Sequence, residues 1–367
     1  MKSFNKVKTL AAALCLIAGC SLSVLAQGNS HTPGSISVVA STVPANGDVN
    51  PYGIAVVPRS TGSLIHGNIL VSNFNSSANL QGTGTTIVQI APDGTVGLFA
   101  QIDAHKLPGP CPGGIGLTTA LAVLRSGWVV VGSLPTTDGT SATARAGCLL
   151  VLDSTGHVVE TLFGSLISGP WDMTALDAGG SAELFVTNVL NGTVAAGGKV
   201  VHEGTVTRLT LTGLNGKKPE LQAITVIGSG FSERTDPAAL VIGPTGLGLS
   251  TDADLLYVAD SLNNRITAIP DPVFRDTSAG TGATLTQGGS LNDPLGLTVA
   301  HDGNILTVNG NNGFLVITTP NGDQVFKKLL DSSGTPPGSG ALFGLVPVPG
   351  RGLYYVDDAT NTLNLFQ

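Results

Sequence analysis

The chain has 367 residues, of which 42% are hydrophobic and only 11% charged, with 50 glycines. That length and apolar content allow a sizeable core, and few charges with many turn-forming residues point to short strands rather than long amphipathic helices. A formal charge of −7, from 17 Lys and Arg against 24 Asp and Glu, leaves no basic stripe to neutralise phosphates and argues against a nucleic-acid partner.

Residues 1–26 read as an export signal. Lys2, Lys6 and Lys8 form a positive start, and Thr9 to Ala18 form an apolar core too short to be a good membrane span. Two cleavage readings stand. Val24-Leu25-Ala26 before Gln27 fits a small-residue signal-peptidase site, and Ile17-Ala18-Gly19-Cys20 resembles a bacterial lipoprotein box that would leave Cys20 lipidated. Either one places the chain outside the cytoplasm, secreted, periplasmic or lipid-anchored, with a single domain over 27–367. Cys15 leaves with the signal. Cys111 and Cys148 remain as an even pair in an oxidising compartment, either bonded or held as two buried thiols.

From Gly34 onward the chain is a succession of short apolar runs. An isolated run spans Ile36 to Ala40. The first repeat has runs at Ile54 to Val57, Ile69 to Val71, Ile87 to Ile90 and Val96 to Phe99, here called a, b, c and d. Its c-to-d turn, Ala91-Pro92-Asp93-Gly94, presets φ with Pro and accepts positive φ with Gly. The second repeat runs from Ala120 to Phe163 and the third from Met173 to Ile227. The fourth runs from Leu247 to a weak run near Leu285, and the fifth from Leu297 to Leu330. The sixth has a, b and c at Phe343 to Val346, Leu353 to Val356 and Leu363 to Phe366, but no d. The isolated N-terminal run supplies it. The expectation is an all-β, six-bladed β-propeller whose sixth blade is closed by the N-terminal strand, because closure removes exposed sheet edges.

Tyr257-Val258-Ala259-Asp260-Ser261-Leu262-Asn263-Asn264-Arg265-Ile266 resembles the repeat of the NHL family of six-bladed propellers. Asn50-Pro51-Tyr52-Gly53-Ile54-Ala55-Val56 and Asp293-Pro294-Leu295-Gly296-Leu297 resemble its opening. Only Arg265 supplies the family's arginine. The family is functionally mixed, so the resemblance implies fold far more than activity.

In such a ring the d-to-a and b-to-c connections share one face, the top. The b-to-c connections of the first three repeats are long (73–85, 134–147 and 188–204) and those of the last three are short, which would give a wall on one side and a low lip on the other. Two places after the last Val of each strand b stand Asn73, Ser133, Asn188, Asp260, Gly310 and Asp358, with Asn75, Asn309 and Asp357 beside them. Asn50, Asp172, Asp236 and Asp293 lie near the starts of strands a.

 Oxygen donors from several blades at one face can hold a hard cation such as Ca²⁺, and this arrangement resembles the gluconolactonase-type propeller enzymes, whose metal sits at the channel mouth among Asn and carboxylate ligands. The same Asx residues also serve as strand-end turn formers that bond their own backbone. Trp171 beside Asp172 either lines a sugar-binding pocket or packs inside.

No His-x-x-x-His spacing, nucleophile elbow or phosphate-binding loop occurs. The leading expectation is a monomeric, non-catalytic binding module for a protein, peptide or glycan, with Asn73, Asn188, Asp260, Asp358, Trp171 and Asp172 as ligand-binding candidates. The alternative is a metal-dependent lactonase-like hydrolase with Asp260, Asp358, Asn188 and Asn73 around the ion. Membrane contact is expected only through a lipid on Cys20.

Overall fold

The structure, a computed structural model, describes residues 34–216 and 218–367; residues 1–26, expected to be an export signal, and Cys20 within them lie outside the described residues. After β1 (Ile36–Ser41), the first blade is β2 (Val49–Val56), β3 (Ile69–Asn75), β4 (Thr86–Ile90) and β5 (Val96–Gln101). The second is β6 (Leu117–Val123), β7 (Val129–Ser133), β8 (Cys148–Leu152) and β9 (Val158–Leu162). The third is β10 (Pro170–Asp177), β11 (Ser181–Asn188), β12 (Val201–Thr212), β13 (Glu220–Asp236) and β14 (Leu240–Ile242), with the one-turn helix α1 (Thr193–Ala196) between β11 and β12. The fourth is β15 (Pro244–Leu249), β16 (Leu255–Asp260), β17 (Arg265–Pro270) and β18 (Ala283–Gln287). The fifth is β19 (Pro294–Val299), β20 (Ile305–Asn309), β21 (Phe314–Thr318) and β22 (Gln324–Leu329). The sixth is β23 (Leu342–Val348), β24 (Gly352–Asp357) and β25 (Thr362–Phe366), completed by β1.

Each blade is an antiparallel sheet, and the first strands β2, β6, β10, β15, β19 and β23 touch in sequence and back to β2, which closes the ring. β1 pairs antiparallel with β25 from Ile36 opposite Phe366 to Ser41 opposite Thr362, so the sixth blade is sealed by the N-terminal strand, as the count of repeats implied. Asn361 adds to the seam: its Oδ1 accepts from Asn50 N at 2.8 Å and its carbonyl from Thr42 N at 2.9 Å.

The c-to-d turns follow their residues. In the first, Asp93 Oδ1 accepts from Thr95 N at 2.9 Å and Gly94 takes φ 88°; in the second, Asp153 Oδ1 accepts from Thr155 N at 2.8 Å and Gly156 takes φ 89°. Side chains between blades form dry cores. Ile87, Leu117, Val131 and Leu150 pack the first blade on the second, and Val130, Leu149, Leu184 and Leu209 the second on the third. Cys111, in the loop before β6, is joined by a disulfide to Cys148 at the start of β8.

The third blade departs from the expected four strands. The connection 188–204, expected to be a loop, contains α1 and the first residues of β12. β13 runs far past Ile227 to Asp236, and β14 adds a fifth strand through Asp236 opposite Leu240. This long ribbon rises on the top face and brings Leu240 and Val241 back over the ring axis, where both are buried.

Candidate functional site: the channel mouth and the top face

The innermost strands begin alike: Pro51-Tyr52-Gly53-Ile54, Pro244-Thr245-Gly246-Leu247, Pro294-Leu295-Gly296-Leu297 and Leu342-Phe343-Gly344-Leu345. The pairing of each with its strand b shifts register just here. The glycines are imposed by the neighbouring blade. A Cβ at Gly296 would run into the Phe343 carbonyl oxygen, and one at Gly344 into that of Tyr52. In the third blade the motif reads Pro170-Trp171-Asp172-Met173, with a carboxylate in place of the glycine.

The residue before that position sets the chemistry of the mouth. Tyr52 stacks on Phe74 and on Phe343, with ring centroids 4.5 and 3.8 Å apart, and Trp171 meets Tyr52 and Phe74 edge-on at 5.8 and 5.9 Å. Leu134, Val189, Leu240, Val241 and Leu295 pack around these rings. Tyr52, Phe74, Trp171 and Phe343 are all buried. The top end of the channel is therefore filled by an apolar plug drawn from the first, second, third, fifth and sixth blades. Trp171 is 2% exposed, so of the two readings it packs inside and offers no platform for a sugar.

The residues expected to ring the mouth are turned away from it. Strand b ends opposite the start of strand a at Asn73, Ser133, Asn188, Asp260, Asn309 and Asp357, so in the last two blades the equivalent residue stands one place before Gly310 and Asp358. Asn73 Nδ2 donates to the Thr42 carbonyl at 3.0 Å and to Thr86 Oγ1 on strand c at 3.3 Å. Asn188 Nδ2 donates to Thr207 Oγ1, also on strand c, at 3.2 Å. The Asp260 carboxylate accepts from Arg265 Nε at 2.6 Å and from Asn263 Nδ2 at 3.0 Å, so the best copy of the repeat uses its acid and its arginine on each other. All three side chains reach outward from the axis. Asn73 and Asn188 each keep a buried Oδ1 without a partner, but the two sit in separate blades with the plug's Phe74 and Val189 next to them. Among the described residues no three His, Cys, Asp or Glu side chains are grouped to hold a metal ion. A calcium cage needs six to eight oxygens. Of the expected set Asn73, Asn188, Asp260 and Asp358, Asp260 already spends its carboxylate on Arg265 and Asn263.

Acids are nonetheless plentiful around the top. Burial pushes the Asp293 carboxyl up to about 6, with Asp236 adding repulsion that Arg234 opposes. Burial raises Asp358 to about 7, helped by Asp357, and Glu233 to about 8, helped by Glu203 despite a hydrogen bond from Asn191 N. Asp358 also borders a cleft of about 400 Å³ at the seam between the sixth and first blades, lined by Val49, Asn50, Ser77, Asn79, Ala359 and Asn361. Asn50, Asn79 and Asn361 all adopt left-handed backbone there, which Asn tolerates better than most residues.

Asp172 stands apart from this group. It lies beneath Trp171, on the wall of a central cavity of about 280 Å³ that all six innermost strands line. Its Oδ1 accepts from Met173 N at 2.8 Å and its Oδ2 from Leu247 N of the fourth blade at 3.1 Å, so it ties two blades together. Burial raises it to about 7 even though both hydrogen bonds favour the charged form. Sequence reasoning grouped Asp172 with the mouth residues and missed the plug. Aligning the strand-a openings gives both away, because one position reads Tyr, Trp, Thr, Leu and Phe, and the next reads Gly except at Asp172.

No family model and no curated protein sequence matches the chain. Solved structures do. A gluconolactonase from Xanthomonas campestris superposes with a TM-score of 0.55 at 14% identity, covering 91% of this chain and 89% of that one. A calcium-binding regucalcin from Agrobacterium tumefaciens gives 0.54 at 14%, covering 91% and 94%. A virginiamycin B lyase from Staphylococcus aureus gives 0.51 at 13%, covering 91% and 99%. At these identities the likeness is one of fold: the chain shares the six-bladed ring of the gluconolactonase- and regucalcin-type propellers.

Proposed function

We propose that this chain is a non-catalytic binding propeller that works outside the cytoplasm and takes a polypeptide segment on its top face. The observation that carries the reading is the filled channel mouth. Where a lactonase-like site would gather oxygen donors, Tyr52, Phe74, Trp171 and Phe343 pack on one another, and Asn73, Asn188 and Asp260 hold their own blades. What remains open on top is peripheral: the cleft beside Asp358, Asn50 and Asn361, facing the wall raised by the ribbon of the third blade. Such loop-built surfaces on a rigid scaffold are where binding residues concentrate. Side-chain amides and a carboxyl suit the alternating donors and acceptors of an extended backbone. The burial of Trp171 removes the aromatic face that would have favoured a glycan.

The test is peptide selection on the immobilised protein, followed by calorimetry with the selected peptide. Ser77 is exposed in the cleft, and Ser77→Arg should weaken binding at least about tenfold, the worth of roughly 1.4 kcal/mol, without changing the melting temperature. The same preparation, with and without added Ca²⁺, is assayed on D-glucono-δ-lactone. Calcium-dependent turnover abolished by Asp358→Asn would replace this reading with the hydrolase. The mass of the mature N-terminus, with palmitate labelling, tests export and decides between cleavage before Gln27 and lipidation of Cys20.

A further inference from the structure

We propose that the central channel is a blind tube, entered from the face opposite the long connections, that holds a small organic ammonium ion against Asp172. Three observations converge. First, the tube is closed at one end only. Tyr52, Trp171 and Phe343 at the top of the innermost strands are buried, whereas Val56, Val123, Ala175, Thr298 and Val346 lower on the same strands line the cavity and are partly exposed. Second, Asp172 is the one acid or base on the cavity wall, and it occupies the position where four other blades carry glycine or, in Thr119's case, the second blade carries a hydroxyl residue. A repeat rule broken by an acid in just one blade marks a position under a demand other than folding. Third, the carboxylate there has hydrogen bonds but no counter-charge, and a neighbouring hydroxyl has no partner at all. Among the described residues no Lys, Arg or His forms an ion pair with Asp172. Thr119, on the same wall and 6% exposed, has a buried hydroxyl with no hydrogen-bond partner.

Buried carboxylates are ordinarily paired, and a ligand cation would supply the missing charge. One carboxylate and the hydroxyls of Thr119, Thr174 and Thr298 are fewer side-chain oxygens than the six to eight of a calcium site. Leu121, Val123, Leu297 and Val346 give one part of an otherwise polar wall an apolar surface for a short alkyl group. A cavity of about 280 Å³ is far larger than the ~30 Å³ share of a single water. The chemistry is therefore that of a primary alkylammonium.

Calorimetry with butylammonium chloride, and with butan-1-ol as its uncharged counterpart, tests this on the purified protein. Butylammonium should saturate at one per chain, with butanol weaker by about tenfold or more, as the loss of a charge-assisted hydrogen bond implies. Asp172→Asn and Asp172→Gly should each reduce butylammonium binding by a similar factor while melting cooperatively; the glycine is the residue other blades carry there. Ala175→Phe, at the open end, should block binding, and Ser77→Arg on the top face should leave it unchanged. Absence of saturable binding, equal affinity for butanol, or an unaltered Asp172→Asn variant would show that the channel holds only water and would overturn the proposal.

Discussion

At the scale of single residues, the most informative positions are those where the repeat is either enforced or broken. Gly296 is enforced, since any side chain meets the backbone of the next blade. Gly296→Ala should therefore cost about 3 kcal/mol or more, with no flexible neighbour to yield, and denaturant unfolding will read this directly. Arg265 serves one acid. Arg265→Met leaves the fully buried Asp260 without its cation and should destabilise by about 3–5 kcal/mol, the usual cost of breaking a buried pair from one side. The raised carboxyls make a pH prediction. In the unfolded chain Asp172, Asp293 and Asp358 lose their protons near 3.8 and Glu233 near 4.5, whereas in the fold they hold them to about 7, 6, 7 and 8. Between those limits the folded state binds more protons, so stability is greatest below about pH 4 as far as these groups are concerned. It falls as pH rises toward 8, by about 1.4 kcal/mol per pH unit for each carboxyl still protonated only in the fold. Melting at pH 5 should exceed melting at pH 8, and Asp172→Gly should narrow the gap. A flat profile would refute the burial of these acids. Asp172 itself was visible in the sequence as an acid near a strand start. Its place inside the channel was not, because that depends on which side of the bulge its side chain leaves the strand.

At the scale of elements, most strands were legible because alternation and turn chemistry agree. Pro92-Asp93-Gly94 and Pro320-Asn321-Gly322 fix where strands c and d meet, and Ile36 to Ala40 could be assigned to the sixth blade because the last strand, β25, otherwise lacked an outer neighbour. The ribbon of the third blade was illegible for a physical reason. Around Gly228-Ser229-Gly230 there is no apolar alternation, and the pairing with β12 shifts register repeatedly, so its strands are held by backbone hydrogen bonds rather than by a sided pattern. Its apolar payload sits at the tip, in Leu240 and Val241. Leu240→Ser should cost about 2–4 kcal/mol by opening the plug. In a Trp128→Phe background, where Trp171 is the remaining tryptophan, it should also raise the fluorescence change on quencher addition, a readout of the mouth. Deleting residues 35–41 strips one edge of β25 and should lower the melting temperature by about 10 °C or more; unchanged melting would contradict the closure.

At the scale of the whole molecule, six similar blades carry two dissimilar ends. The top is capped by aromatic rings and edged with acids, and the opposite end opens onto the channel. The disulfide constrains only one blade, spanning 37 residues, and its removal by the paired change Cys111→Ala and Cys148→Ala should cost about 3–4 kcal/mol on the chain-entropy account. Fold was readable from the count of strands, since closure is a global constraint that local runs must satisfy. The site was not, because whether a strand-end Asn or Asp faces the axis or its own strand c is decided by tertiary packing that leaves no mark in the spacing.

The seam between β1 and β25 also imposes a schedule. Its partners lie some 330 residues apart, the separation of Ile36 from Phe366, so no blade-by-blade growth from the N-terminus can finish the ring. Through most of synthesis the nascent chain is an open arc whose first strand has no sheet to join, and the terminal blade forms last and all at once. Such late, long-range closure is slow. On the proposed export of this chain, slowness is useful: a ring that cannot lock before its last strand arrives stays threadable for as long as it is being made.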